Sequence, residues 1–210
     1  MNMQHNTWCG TPIGKGRDSD QGRTIKLDRL AAEANRTVSG RVWYAARVWT
    51  GRELSVQKAL AELDIETSIP MRMGPELRRR GRVIPSQPMP AIHGYVIVRM
   101  PPDGAVLAAL TAIEHFIEIV GGYENPMPIP NEDVKRFKAL ADEGLYDWDR
   151  EVERRFKVGD KASIVGGLFY GASCEIISCR DDGLGDAVVL VSLLGKTVPM
   201  TVPLAILEES

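Results

Sequence analysis

The sequence predicts an α+β protein, with an N-terminal α/β sandwich followed by a small C-terminal β-barrel. Between Val42 and residue 145, strand-like and helix-like patterns alternate, which is typical of one sheet covered by helices. After Lys157, short β-branched runs are separated by glycine-containing turns, which favours a small barrel. The 210 residues are enough for one or two domains.

Residues 1–40 are rich in Gly, Asn, Ser and charged side chains. The stretch TIKLDRLAAEANR (24–36) has the composition of one short helix, but its length is marginal for a helix without tertiary contacts. We interpret 1–40 as a flexible tail.

The next elements follow from residue patterns. VWYAARVW (42–49) is β-branched and aromatic and predicts a buried strand. Thr50 is expected to cap the following helix, with Glu53 at the spacing of a capping box. ETSIPM (66–71) then predicts a second strand. The segment 72–92 contains four prolines and a cluster of arginines, which predicts a long exposed loop or hairpin.

GYVIVRM (94–100) is the clearest strand pattern in the chain. PPDGAVLAAL (101–110) predicts a helix that starts at Pro and Asp, and FIEIVG (116–121) predicts a short strand. Asn131 is expected to cap a last helix whose acidic residues precede its basic ones, as the helix dipole favours.

Residues 144–157 are charged and have no clear period. We therefore divide the chain into a tail (1–40), a first domain (41–145), a linker (146–151) and a barrel domain (152–210). Residues 146–210 carry seven basic and eleven acidic side chains, so this segment is a poor phosphate-backbone binder by charge alone.

Composition disfavours several classes of protein. No run approaches the roughly 18–20 apolar residues of a membrane span, and the N-terminus lacks the pattern of a secretory signal, so we expect a cytoplasmic protein without membrane contact. Cys9, Cys174 and Cys179 lack metal-ligand spacing, and no nucleophile–base pairing or phosphate-binding loop is present. We expect no enzymatic activity, no cofactor and no metal.

Five segments together resemble the NusG-type transcription elongation factors. They are WYAARVWTGRE, HGYVIVRM, VGGYENPMPIPNEDV, FKVGDKASIVGGLFYG and VVLVSLLGKTVPMTVPLAILE, which occur in the order of the family between Trp43 and Glu208. The resemblance implies an NGN domain over 41–145 and a KOW domain, an SH3-like barrel, over 152–210.

This resemblance implies a non-enzymatic role in transcription. The NGN domain of the family binds the clamp helices of the largest RNA polymerase subunit and suppresses pausing. The KOW domain recruits a second partner, such as termination factor Rho or a small ribosomal-subunit protein.

The family pattern also implies site residues. The polymerase-binding surface would comprise the apolar residues Trp43, Tyr44, Ile92, Tyr95 and Phe156. Aromatic side chains dominate interface energetics, and we expect Trp43, Tyr44 and Tyr95 to form an exposed apolar seat. The alternative is that these aromatics only fill the core, and one of the adjacent pair Trp43 and Tyr44 should face inward.

Arg78, Arg79, Arg80 and Arg82 lie in the long loop, which in the family runs near upstream or non-template DNA. Four guanidinium groups on such a loop suit sequence-tolerant phosphate contacts, although a solvated charge run is the plain alternative. In the barrel, Phe169 and Tyr170 are the candidate partner-binding residues, or else they pack inside it.

Some positions depart from the family. Ile92-His93 stands where the family has Phe-Pro, and an ungapped alignment puts Cys174 at the KOW glycine and Ala172 at an exposed apolar residue that contacts partners. The alanine at position 172 removes an apolar hot spot that the family uses to contact Rho or the ribosomal protein. Together with the 40-residue tail, which has no counterpart in the common family pattern, these departures suggest a specialised paralogue. A general factor and an operon-specific antiterminator both remain open.

Two further alternatives stay open. A ribosome-associated or RNA-binding KOW protein would explain 152–210 but leave the first domain without a role. In some specialised relatives the C-terminal domain forms a helical hairpin that covers the polymerase site. Because AVVLVSLL and TVPMTVP are strongly β-prone, we expect a barrel here.

Overall fold

The computed structural model describes residues 17–34, 40–152, 155–180, 182–193 and 195–209. Residues 40–145 are called the N-terminal domain here, and 155–209 the C-terminal domain. Up to residue 145 the elements are α1 (Arg17–Ala34), β1 (Val42–Val48), α2 (Glu53–Ala61), β2 (Thr67–Ser68), β3 (Met71–Met73), β4 (Leu77–Arg79), β5 (Arg82–Ile84), β6 (Pro88–Pro90), β7 (Tyr95–Met100), α3 (Gly104–Ala109), β8 (Phe116–Ile119), β9 (Pro128–Ile129) and α4 (Asn131–Asp142).

The main sheet has the order β2-β7-β1-β8, with β9 paired to β1, and every pairing is antiparallel. In the central ladder, Trp43 lies opposite Arg99 and Arg47 lies opposite Tyr95. The predicted loop is a two-part hairpin, in which β3 pairs with β6 and β4 pairs with β5 at the tip.

Both faces of the main sheet are covered, because side chains alternate along each strand. One face, including Tyr44 and Val98, packs under α1, α2 and α3. The other face, including Ala45 and Ile97, packs under α4 and the C-terminal domain. Residues of β1 therefore divide between two hydrophobic clusters.

The prediction of a flexible tail needs correction for its described part. Residues 17–34 form α1, which packs against α3 and the 3₁₀ turn that follows it. Leu30 is fully buried, and Lys26 Nζ donates a hydrogen bond to Thr111 Oγ1 at 2.7 Å. These tertiary contacts stabilise a helix whose sequence alone is marginal. The rest of 1–40 lies outside the described residues, apart from Gly40.

Two of the helix caps predicted from the sequence are not formed in the structure. Thr50 and Glu53 form no capping box, because the Glu53 carboxylate is buried and accepts the Gly94 N–H at 2.6 Å. Asn131 is the first residue of α4, and its side chain accepts a bond from Trp43 instead of capping the helix. Asp103 does cap α3, accepting from the N–H groups of Ala105 and Val106.

The strands of the C-terminal domain are β10 (Lys161–Ile164), β11 (Ser173–Ser178), β12 (Asp186–Leu193), β13 (Lys196–Pro203) and β14 (Leu207–Glu209). They form a five-stranded antiparallel sheet of the order β13-β12-β11-β10-β14. Buried and accessible residues alternate along β12, so one face of the sheet encloses the core. The predicted α+β fold, with a β domain and not a helical hairpin at the C-terminus, is confirmed.

Candidate functional site

The two domains share one hydrophobic cluster, which includes most of the predicted polymerase-binding face. At its centre, the Tyr95 ring of β7 meets the Phe169 ring edge-on, with centroids 5.3 Å apart and planes at 76°. Tyr95 is only 6 % exposed. Burial raises the pKa of the Tyr95 hydroxyl, and Glu118 also raises it while Arg47 lowers it. The C-terminal domain therefore covers this part of the sheet.

The covering segment is the short 3₁₀ turn Gly167–Phe169, which packs against α4. Gly167 has φ of +80°, and a Cβ there would lie 3.1 Å from Ile92 Cδ1 and 3.4 Å from Phe137 Cε2. Glycine meets both demands, because it tolerates positive φ and leaves room for the neighbouring side chains. The turn thus approaches the N-terminal domain more closely than another residue would allow.

One buried ion pair also joins the domains. Arg72 Nη2 of β3 donates to Asp186 Oδ2 of β12 at 2.7 Å, and the Arg72 side chain is fully buried. Arg72 Nη1 donates to the Tyr146 carbonyl oxygen at 3.2 Å, and its guanidinium lies 5.7 Å from the centre of the Trp148 ring. Among the described residues, Arg72 Nε and Asp186 Oδ1 are buried without a hydrogen-bond partner. The ion pair therefore has a defined geometry, but two of its buried polar atoms lack a hydrogen bond.

The predicted linker, 146–151, packs between the domains. Tyr146 is buried and its ring lies 5.3 Å from that of Phe137. The Trp148 N–H donates to the Met73 carbonyl, and the Trp148 carbonyl accepts from the Gly185 N–H. The segment therefore holds the hairpin base of one domain and a turn of the other.

Tyr146 provides a test of this packing. Within the described part of the chain its buried hydroxyl has no hydrogen-bond partner, which is a desolvation cost without compensation. Tyr146→Phe should therefore raise the free energy of unfolding by about 1 kcal/mol in urea denaturation. A loss of stability of similar size would show that the hydroxyl has a partner in solution.

The same residue predicts an alkaline effect. Burial raises the pKa of Tyr146 from 10.0 to about 12, although the charge of Arg136 acts in the opposite direction. Because the folded pKa is the higher one, the stability associated with the neutral phenol is complete below pH 10 and is lost as the pH rises towards 12. Denaturation of wild type and Tyr146→Phe across this window should show a smaller loss in the variant.

The five predicted polymerase-binding residues do not form one exposed surface. Ile92 and Tyr95 lie together beneath the C-terminal domain. Trp43 is in the same cluster, but its indole N–H donates to Asn131 Oδ1 at 3.0 Å and Arg99 lies 5.6 Å from its ring. Its buried position reflects cover from its own domain. The expected exposed seat is thus absent from this arrangement of domains.

Tyr44 and Phe156 lie elsewhere. Tyr44 points to the opposite face of the sheet, into the cluster under α1 to α3, because it neighbours Trp43 on one strand. We therefore leave Tyr44 out of the candidate surface. Phe156 is buried at the start of the C-terminal domain, where its carbonyl accepts a bond from Cys179 Sγ at 3.1 Å.

The two predicted C-terminal residues have different environments. Phe169 is buried against Tyr95, whereas Tyr170 is 57 % exposed and lies under the Arg136 guanidinium at 4.8 Å. Sequence analysis missed Phe137, Arg72 and Asp186. Phe137 belongs to the buried stripe Val134, Phe137 and Ala141 of α4, a helical spacing that the sequence does display.

The arginine cluster forms the tip of the β4–β5 hairpin. Arg79 pairs with Arg82 across the ladder, and Arg80 and Gly81 both have positive φ, as a type I′ hairpin turn requires. All four arginines are exposed, and the nearest carboxylate contact is Glu76 Oε1, 4.0 Å from Arg78 Nε. The hairpin thus presents concentrated positive charge to solvent.

Side chains arranged for metal binding or nucleophilic chemistry are sparse in the described ranges. No three His, Cys, Asp or Glu residues there lie close enough to hold a metal ion. Burial raises the pKa of the Cys174 thiol, which disfavours a reactive thiolate at that position.

Within the described part of the chain, each helix is too short or too polar to cross a bilayer.

Comparison with known proteins adds a family match. Residues 41–138 match the family described as NusG, transcription termination factor NusG. No curated protein sequence matches the chain. The chain is similar to the solved structure of NusG from Thermotoga maritima, which addresses its domain interaction, with 19 % identity, 82 % of this chain and 99 % of that chain covered, and a TM-score of 0.43. It is also similar to the MjSpt4:Spt5 complex in conformation B, with 18 % identity, 80 % and 95 % coverage, and a TM-score of 0.25.

Proposed function

The chain belongs to the NusG family through residues 41–138, and on that premise we propose that it is a transcription elongation factor that binds RNA polymerase. In this proposal its N-terminal domain binds the clamp helices of the largest polymerase subunit and suppresses pausing or termination. Family membership implies the role in transcription. The polymerase contact and the effect on pausing are the proposal.

The observation that carries the proposal is the apolar face formed by Ile92, Tyr95 and Phe137. The C-terminal domain contributes to the burial of these three side chains, because it places Phe169 and the Gly167 turn against them. An apolar face with an aromatic centre suits the docking of amphipathic helices. The proposal therefore requires the C-terminal domain to leave this face before polymerase can bind.

Transcription in vitro through a pause site tests the function. We expect the protein to shorten the pause and, if it acts as an antiterminator, to increase read-through at a terminator. Tyr95→Ala should abolish the effect, whereas Ile117→Ala should not, because Ile117 is a partly exposed residue of the same sheet outside the shared cluster. Unchanged pause lifetimes with the wild-type protein would contradict the proposal.

The β4–β5 hairpin is proposed to contact upstream or non-template DNA. Changing Arg78, Arg79, Arg80 and Arg82 to Ala should weaken binding to the elongation complex and reduce its salt dependence. If all four contact duplex phosphates, the slope of log K against log salt should fall by up to about 3.6. Measuring affinity between 50 and 200 mM salt, as the usual window, checks this.

The matched control replaces the same four residues by Lys. Lysine keeps the positive charge and loses only the planar fork, so it should retain most of the salt slope. If the alanine variant kept the wild-type salt slope, the arginines of the hairpin would not contact DNA.

For the C-terminal domain we propose a second partner of the kind that the family binds, Rho or a small ribosomal-subunit protein. Phe169 is covered in this arrangement, while Tyr170 is accessible. A partner that uses Phe169 therefore competes with the N-terminal domain. Pull-down of ribosomal subunits and of Rho, each with wild type and Tyr170→Ala, distinguishes these partners.

A further inference from the structure

Glu53 is a buried carboxylate that the proposed function has not used. Of the charged residues in the described part of the chain, only Glu53 and Arg72 are buried, and Glu53 is 2 % exposed. Burying a charge is costly unless neighbouring groups compensate it. Arg72 is compensated by Asp186, whereas Glu53 is compensated by the polypeptide backbone.

Two backbone features stabilise this carboxylate. Glu53 is the first residue of α2, where the helix dipole favours a negative charge. Its Oε1 accepts the Gly94 N–H at 2.6 Å, and a carboxylate makes a stronger acceptor for such a bond than a neutral group does. Glu53 therefore joins the start of α2 to the turn 91–94, which directly precedes β7.

This turn is held at both of its ends. At the first end, the Ala91 N–H donates to the Pro70 carbonyl at 2.9 Å. At the second end, the Gly94 carbonyl accepts from the Val48 N–H at 2.8 Å, while the Gly94 N–H binds Glu53. The carboxylate thus adds a side-chain anchor to a turn that backbone bonds alone would hold less firmly.

The turn positions two residues of the apolar face formed by Ile92, Tyr95 and Phe137. Ile92 lies within the turn and Tyr95 directly follows it, and both are covered by the C-terminal domain in this structure. The proposed function requires that domain to leave. Once it has left, the turn is held by contacts within the N-terminal domain, among them the Glu53–Gly94 bond.

We propose that Glu53 is a positioning residue for polymerase binding. Its carboxylate holds the turn so that Ile92 and Tyr95 keep the arrangement of the apolar face after the C-terminal domain has left. A face that is already ordered avoids the entropy cost of ordering a loop during association. This inference rests on the proposed function, because it concerns the same binding face.

The affinity of core RNA polymerase for full-length variants tests the proposal. Loss of a hydrogen bond to a charged group predicts about 10- to 150-fold weaker binding for Glu53→Ala. Glu53→Gln keeps a side-chain oxygen of the same reach and should retain most of the affinity. Glu53→Asp keeps the charge at the start of α2 but is one methylene shorter, so it should lose the Gly94 bond and the affinity.

The sign of the change separates positioning from a role in domain packing. If Glu53 only helped the turn to pack against the C-terminal domain, Glu53→Ala would increase the fraction of molecules with separated domains. Polymerase binding would then become tighter, because the binding-competent fraction rises. A positioning role predicts weaker binding by the same variant.

Val56→Ala is the matched control for general destabilisation of α2. Val56 lies on the same helix and is fully buried, but it packs in the cluster on the other face of the sheet. Its truncation leaves a cavity under α2 without touching the turn. Its polymerase affinity should stay within about twofold of wild type.

Amide hydrogen exchange without polymerase gives a second measurement. The Ala91 N–H is bonded to Pro70 and not to Glu53, so it reports on the order of the whole turn. We expect faster Ala91 exchange in Glu53→Ala and Glu53→Asp, and the wild-type rate in Glu53→Gln and Val56→Ala.

Three results would overturn the proposal: polymerase binding by Glu53→Ala that equals or exceeds that of wild type, unchanged Ala91 exchange in Glu53→Ala, or an equal loss of affinity in Val56→Ala. If the wild-type chain does not bind polymerase but Ala91 exchange still depends on Glu53, the proposed function alone is rejected and the positioning of the turn stands.

Discussion

Asp186→Asn is expected to separate the two domains. The change removes the carboxylate that faces Arg72 and leaves a fully buried guanidinium without its counter-charge. Breaking a buried pair in this way costs about 3–5 kcal/mol, and solvation of Arg72 upon opening relieves that cost. We expect a larger radius of gyration in small-angle X-ray scattering and faster amide exchange in the Gly167–Phe169 turn.

The double variant Arg72→Met with Asp186→Leu is the matched control. Replacing both charges by apolar side chains of similar volume is often neutral or stabilising. In this variant the C-terminal domain should therefore remain packed on the N-terminal domain. An Asp186→Asn protein with the wild-type radius and exchange rates would show that the pair does not hold the domains together. If both variants failed to fold, the ion pair would stabilise the fold as a whole and would not specifically hold the domains together.

Phe169→Ala is expected to cause the largest loss of stability among single changes in the interface. The ring is buried between the C-terminal core and Tyr95, and truncation of a buried Phe typically costs about 3–5 kcal/mol. Both domains contribute to the surroundings of this ring. The variant should therefore lose the packing between the two domains as well as stability of the C-terminal domain itself. Chemical denaturation followed by tryptophan fluorescence measures the change.

The adjacent Tyr170→Ala provides the comparison. Tyr170 is mostly exposed, and its contact with Arg136 is worth about 0.5–1 kcal/mol. The two neighbouring aromatics should thus differ several-fold in their effect. Equal effects would contradict the assignment of Phe169 to the shared core and Tyr170 to the surface.

Much of the fold is predictable from local patterns. The runs VWYAARV and YVIVRM are the two central strands, β1 and β7, and the glycine-separated β-branched runs after Lys157 form the C-terminal sheet. The caps were less predictable, since tertiary contacts recruit their side chains. Glu53 binds the Gly94 N–H and Asn131 binds Trp43, partners that lie 41 and 88 residues away.

The arrangement of the domains was not predictable from these patterns. Arg72 and Asp186 are 114 positions apart, and each looks like an ordinary surface charge in its own sequence context. The exposed seat expected from Trp43, Tyr44 and Tyr95 failed for two physical reasons. Strand alternation sends Tyr44 to the other face, and the C-terminal domain covers Tyr95.

The affinity of core RNA polymerase for the wild-type chain and for Asp186→Asn tests the central claim most directly. If polymerase binds the face that the C-terminal domain covers, its apparent affinity for the chain rises with the fraction of open molecules, in which the two domains are separated. We predict binding at least about tenfold tighter for Asp186→Asn than for wild type, and loss of this gain when Tyr95→Ala is added. Equal affinity of wild type and Asp186→Asn, with the variant shown to be open, would contradict the claim.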